Sequence, residues 1–184
     1  MNEVLLNIKN RRSVRRYKSE QVKREELDQI LEAAISAPSA CNEQPWFFTV
    51  IQNAELIEEI SSKTLEEMRK SPEEWIVNMG NKYKSVFYGA PTVIVVSGKD
   101  QGYSPITDCS AAIQNMLLAA ESLNIGSVWI GLTDHYFKTQ HNYKELLNIP
   151  EGYSAFYTVA LGYKIDHRIK EGPKKNREVF TFIE

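Results

Sequence analysis

Apolar residues along this chain follow two rhythms, the 3.6-residue period of an amphipathic helix and the short runs of strands, and the two interleave. Over 23–37, Leu27, Ile30, Leu31 and Ala34 recur at helical spacing, with Glu25, Glu26 and Asp28 near the start, where the helix dipole favours anions. Pro38 ends that helix. Pro45 then introduces Trp46-Phe47-Phe48-Thr49-Val50-Ile51, aromatic and β-branched, which predicts a buried strand. Asn53 is placed to cap a following helix, 54–70, whose Leu56, Ile57, Ile60, Leu65 and Met68 form one packed face. Ser71-Pro72 breaks it, and the mixed stretch from Trp75 to Tyr88 predicts a mobile or partly helical segment over a site.

Ala90-Pro91 leads into Thr92-Val93-Ile94-Val95-Val96, the unbroken pattern of a strand covered on both faces and hence central in a sheet. A short polar connection between Ser97 and Thr107 follows. Thr107 or Asp108 then caps a helix carrying Ile113, Met116, Leu117, Ala120 and Leu123 on one stripe, with Gly126 after its end. Ser127 to Leu132 reads as a strand, Tyr143 to Leu147 as a short helix stopped near Pro150, and Ser154 to Leu161 as an alternating strand. The end, with Val179, Phe180 and Phe182 after a basic stretch, reads as a tail or as an added edge strand. Strands separated by helices predict a sheet with helices on both faces. With no repeat, low-complexity tract or linker, 1–184 is expected to form a single domain.

Composition narrows the function classes. Of 184 residues, 42% are hydrophobic and 25% charged, enough for a packed core and unlike a disordered chain. Apolar stretches fall far short of the roughly 20 residues that cross a bilayer, and the N-terminus lacks a secretory pattern, so the expectation is a cytoplasmic protein without membrane partners. Cys41 and Cys109 lie far apart without CxxC spacing and read as free thiols, with one disulfide left open. The net charge of −2 argues against a generally basic nucleic-acid binder. It hides two basic clusters: Lys9, Arg11, Arg12, Arg15, Arg16 and Lys18, and later Lys164, Arg168, Lys170, Lys174, Lys175 and Arg177. Each is a solvated surface or a localised anion site.

The material for covalent catalysis is thin. His135, His141 and His167 lie in polar surroundings without zinc spacing, Cys41 lacks a partner base, and Cys109 on an apolar helix stripe belongs to the core. Neither a dinucleotide fingerprint nor a P-loop occurs, so any phosphate must be gripped by side chains. Two segments suit that task. In Arg11-Arg12-Ser13-Val14-Arg15 an extended backbone puts Arg11, Ser13 and Arg15 on one side and Arg12 on the other; in Lys175-Asn176-Arg177 two cations share a side. A third segment, 37–46 (Ala-Pro-Ser-Ala-Cys-Asn-Glu-Gln-Pro-Trp), reads as an ordinary helix-to-strand loop or as a turn offering hydrogen bonds to a polar ring edge.

Taken with Ala90-Pro91, Gln114-Asn115-Met116-Leu117-Leu118-Ala119-Ala120, Gly126-Ser127-Val128-Trp129-Ile130-Gly131 and Leu161-Gly162-Tyr163, these blocks resemble, in order and over nearly the whole chain, the nitroreductase family of FMN-dependent NAD(P)H oxidoreductases. The resemblance implies an α+β fold, a three-layer α/β/α sandwich around a mixed, mainly antiparallel sheet, with a C-terminal segment able to add to the partner subunit's sheet. It implies a homodimer with FMN at the interface. Arg11, Arg12, Ser13 and Arg15 match the N-terminal FMN-binding positions, Lys175 and Arg177 the C-terminal phosphate cations, Pro38, Ser39, Ala40 and Asn42 the loop reaching the flavin from the other subunit, and Ile130, Gly131 and Leu132 the strand end approaching the ring.

The implied reaction moves hydride from NAD(P)H to flavin and then to an electron-poor acceptor such as a nitroaromatic or quinone in a ping-pong cycle, with no catalytic side chain and no metal. Arg15 is the candidate for tuning the reduced flavin. Trp75, Tyr83, Phe87, Tyr136 and Phe137 are candidates to line the open face, and the role of Asp108 is left open. Competing readings are a specialised relative (reductive dehalogenation or flavin breakdown) and a non-catalytic anion or nucleic-acid binding module.

Overall fold

Four strands form one sheet in the order β1-β2-β4-β3: β1 (Trp46–Ile51), β2 (Thr92–Lys99), β3 (Ile125–Ile130) and β4 (Tyr153–Tyr163). This computed structural model describes residues 1–166, 172 and 174–184. Every pairing of named strands is antiparallel, in line with the mainly antiparallel sheet expected, and the one parallel pairing among the described residues is an isolated bridge, Ser13 to Ser127, outside those strands. β2 lies inside the sheet with residues 92–98 all buried, which explains its unbroken apolar run.

Alternation along β2 builds two cores. Val93 and Val95 face one side with Ile57, Ile60 and Met68, whereas Ile94 and Val96 face the other with Ile30, Ile113 and Met116. The first layer holds α3 (Ala54–Arg69), α4 (Glu74–Lys82), α6 (Asp134–Thr139) and α7 (Tyr143–Leu146); the second holds α2 (Arg24–Ile35) and α5 (Pro105–Ser122). The three-layer expectation holds. The register of β2 on β4 slips between Val96 and Ser97, so that Tyr157 and Phe156 both turn towards the second core. Gly98 is the cost-free residue opposite that bulge, since a Cβ there would fall 2.4 Å from Phe156 and 3.0 Å from Cys109 Sγ.

Local chemistry sets the boundaries. Asn53 caps α3 by accepting the Leu56 N–H at 2.9 Å, as its position predicts. Glu26 closes the start of α2 by accepting the Lys23 N–H at 3.1 Å and also takes the Tyr163 hydroxyl at 2.5 Å, tying that helix to β4. Two boundary expectations are corrected. α5 begins at Pro105 after Ser104, so neither Thr107 nor Asp108 is its cap, and its left-handed terminator is Asn124 at φ 59° rather than Gly126, which lies inside β3. Trp75 to Tyr88 is partly helical, one of the two states expected of it: α4 packs on α3 so closely that a Cβ on Gly80 would sit 3.1 Å from Met68. Helix α1 (Glu3–Asn10) has no counterpart in the sequence reading; it buries none of its residues and is moored by Asn7 Nδ2 donating to the Leu118 carbonyl at 2.9 Å. No helix among the described residues is long and apolar enough to cross a membrane.

Candidate functional site

The N-terminal basic segment is pinned along the β3 edge of the sheet. Val14 N–H donates to the Ser127 carbonyl at 2.9 Å, Tyr17 bridges Lys164, and Lys18 N–H donates to the Tyr163 carbonyl at 2.9 Å. The glycines beneath it are explained by this crossing: a Cβ on Gly126 would lie 2.8 Å from Val14 Cγ1, and one on Gly162 would lie 2.9 Å from the Tyr17 ring. Val14 and the buried Tyr17 anchor the segment in the first core, leaving Ser13 and Arg15 exposed and Arg11 half-buried. The Tyr17 hydroxyl donates to the Val14 carbonyl at 2.5 Å, and burial raises its pKa although the Arg15 charge opposes this.

Arg12 departs from its neighbours. Its guanidinium folds back to donate to the Lys9 and Arg11 carbonyls at 2.6 and 2.8 Å, and its Nε is buried without a hydrogen-bond partner among the described residues. Its Nη2 would lie 2.4 Å from a Cβ on Gly172, so the returning chain passes directly over it. The structure thus brings Gly172, which precedes Lys174, Lys175 and Arg177 in the chain, against Arg12. Lys175 and Arg177 are exposed, while His167, Arg168 and Lys170 lie outside the described residues.

The loop after α2 is shaped by left-handed residues and two carboxylates. Ala40–Asn42 forms a 3₁₀ turn in which Cys41 and Asn42 have φ 51° and 55°, with Gln44 at 45°. Ser39 Oγ accepts the Gln44 N–H at 3.1 Å, and Gln44 Nε2 donates to Asn42 Oδ1 at 2.9 Å. Asp108, buried on the first turn of α5, accepts the Ala40 N–H, and Glu43 Oε2 accepts the Tyr103 N–H at 3.0 Å. Pro38 and Asn42 are left exposed, with Ser39 and Ala40 half-buried. Asn115 Nδ2 donates to the Ala33 carbonyl at 2.9 Å, fixing α2 to α5 just before this loop.

At the end of β3, Ile130 is buried, Leu132 half-buried and Gly131 exposed, and a Cβ on Gly131 would meet no atom within 4 Å. Thr158 Oγ1 lies 3.4 Å from the Ile130 carbonyl and 3.2 Å from Thr133 Oγ1, which holds the strand end still. Ser13, through its bridge to Ser127, stands three residues back along the same strand, about 10 Å away. The expected lining aromatics divide. Phe87, Tyr136 and Phe137 are core residues at 0%, 1% and 7% exposure, a correction explained by their packing against α3 and β2; Trp75 is exposed and Tyr83 half-buried. His135 lies on α6, and among the described residues no group of three or more His, Cys, Asp or Glu could hold a metal ion.

Chemically, this surface offers cations and a hydroxyl on a rigid edge, and backbone with open space above it. No carboxylate of the described residues forms an ion pair with Arg11, Arg12, Arg15 or Arg177. Such an arrangement fits a phosphate-bearing planar cofactor. Sequence reasoning missed Asp108's task and the turn at Tyr88, where Arg15 Cζ sits 5.6 Å from the ring centroid; the Tyr88-Gly89 pair just before Ala90-Pro91 is the only signal the sequence carries for that turn.

Relatives share both chain and fold. A solved nitroreductase with bound FMN from Bacteroides fragilis is 34% identical, superposes with a TM-score of 0.88, and each chain covers 100% of the other. An Archaeoglobus fulgidus protein, provisionally named an NADH dehydrogenase/NAD(P)H nitroreductase, is 38% identical over 169 residues, 91% of this chain and 89% of its own. The iodotyrosine deiodinase of Thermotoga neapolitana is 30% identical over 88% of this chain and 89% of its own. The model of the Nitroreductase family matches residues 8–163, nearly all of the folded sheet and its helices, and this chain belongs to that family.

Proposed function

We propose that the chain is an FMN-dependent NAD(P)H oxidoreductase acting on an electron-poor acceptor such as a nitroaromatic or quinone. The observation that carries the reading is the Arg11–Arg15 segment, held on the sheet edge with Ser13 and Arg15 turned outward and with no ion pair to the described carboxylates. The FMN in the Bacteroides fragilis relative supports it. When bound, FMN supplies the centre that takes hydride from a nicotinamide and passes reducing equivalents to the second substrate.

The chain's own residues bind and orient. Arg11, Ser13, Lys175 and Arg177 would hold the phosphate as forked and point cations around a hydroxyl, and Arg15 would stabilise negative charge developing on the reducible ring. Arg12, occupied by backbone carbonyls, would shape the segment more than it neutralises charge. The open backbone at Gly131 lets a ring approach without a side chain in the way. Pro38, Ser39, Ala40 and Asn42 would reach the cofactor of a second copy. That homodimer is supported by apolar surface one copy leaves bare: Val4, Leu5, Leu6 and Ile8 on α1 and Val179, Phe180, Phe182 and Ile183 in the C-terminal arm are all exposed. Among its described residues the arm forms no strand within one chain, consistent with a role on a partner.

A second reading, reductive removal of halide from an aromatic, is favoured by the likeness to the Thermotoga neapolitana deiodinase. Stopped-flow oxidation of the NAD(P)H-reduced, FMN-loaded protein by a nitroaromatic, a quinone and an iodophenol separates the two. Fast oxidation by the first pair supports the proposal; oxidation by the iodophenol alone supports dehalogenation.

A further inference from the structure

The turn before β2 holds a bulky residue in a conformation that usually belongs to glycine. Tyr88 has φ 57° and is followed by Gly89 at φ 73°. A left-handed backbone is disfavoured for a large side chain and persists only where the surroundings dictate it. Here they do: Phe87 and Ala90, on either side, are 0% and 3% exposed, and Tyr83, at the end of α4, stacks edge-on against the Tyr88 ring at 5.8 Å and 62°. The ring is therefore a fixed platform. Arg15 lies over it with Cζ 5.6 Å from the centroid.

Arg15 has four rotatable side-chain bonds and projects from an exposed edge, so unsupported it would sample many positions and lose that freedom on meeting a ligand. A planar guanidinium on an aromatic face is instead oriented beforehand. We infer that Tyr88 is a positioning residue for Arg15, holding its guanidinium over the ring so that the fork meets developing negative charge without reorganisation. The inference rests on the proposed function, in which Arg15 serves the reducible ring.

The test uses the FMN-loaded full chain and reads the midpoint potential of the flavin, with FMN content and melting temperature alongside. Arg15→Ala is expected to lower the preference for reduced over oxidised flavin roughly tenfold, about 30 mV for a two-electron couple. Tyr88→Asn, which keeps a residue tolerant of the left-handed backbone, is expected to give most of that shift, Tyr88→Phe less, and Arg15→Ala/Tyr88→Asn no more than Arg15→Ala alone. A wild-type potential in Tyr88→Asn beside a shifted Arg15→Ala overturns the positioning role and leaves the FMN reading intact. An unshifted Arg15→Ala overturns the role of both residues. Wild-type protein that takes up no FMN overturns the proposed function and this inference together.

Discussion

The Asp108 carboxylate accepts the Ala40 N–H with both oxygens, each at 3.2 Å, from a position 6% exposed on the first turn of α5. A helix side chain thereby holds a loop 68 residues away that would otherwise leave a donor unpaired. Asp108→Ala strips the acceptor and is expected to cost about 1–3 kcal/mol, the worth of a hydrogen bond to a charged group. Asp108→Asn keeps an acceptor oxygen and should cost less. Urea unfolding checks the order, and because the loop is proposed to serve the other subunit's cofactor, FMN affinity should fall with Asp108→Ala as well.

Gly126 and Val14 form a complementary pair. The 2.8 Å approach leaves no room for a methyl group, so Gly126→Ala should lift the N-terminal segment and cost about 1–3 kcal/mol as an overpacked contact. Val14→Ala removes the opposing methyl. The double variant should be more stable than the sum of the single effects, and a thermal-melt double-mutant cycle reads the coupling.

Among the arginines, exposure and existing partners rank the effects. Arg15→Ala and Arg177→Ala should weaken FMN retention more than Arg12→Ala, whose guanidinium already serves the Lys9 and Arg11 carbonyls. Flavin content after gel filtration measures this, and equal content in all three variants contradicts the assignment.

Alkaline pH should destabilise the fold through Cys109. Burial first, and the neighbouring Asp108 charge second, push its thiol from 9.0 up to about 12. The raised value means that the unfolded chain loses its proton first, so the contribution is complete below about pH 9 and is lost as pH climbs towards about 12. Between those limits the slope is roughly 1.4 kcal/mol per pH unit from this group. Tyr163, pushed up to about 12 by burial and by Glu26, adds to the same side. Cys109→Ala should flatten the pH dependence of the urea midpoint at fixed protein concentration, and an unchanged slope contradicts the cause given.

Much of the fold is legible where one physical signal dominates. The run 92–96 reads as an interior strand because only a strand covered on both faces is apolar throughout, and Asn53 reads as a cap because its side chain acts locally. Elements whose reason lies elsewhere in space are harder. α1 buries nothing in its own chain, so its apolar residues have no visible core to face, and Phe87 looks like a site aromatic until α3 is seen packed against it. The candidate site divides the same way: alternation reads Ser13 and Arg15 as outward residues, whereas the withdrawal of Arg12 depends on the Lys9 and Arg11 carbonyls, and the grip of Asp108 on Ala40 spans two elements.

The central claim is that this chain holds FMN and reduces it with a nicotinamide. The visible absorption spectrum of the purified, FMN-reconstituted protein, recorded anaerobically before and after NAD(P)H, tests it most directly. The account predicts a flavin spectrum that remains with the protein through gel filtration and bleaches on addition of NAD(P)H. A protein that emerges colourless, or a bound flavin that NAD(P)H leaves oxidised, contradicts it.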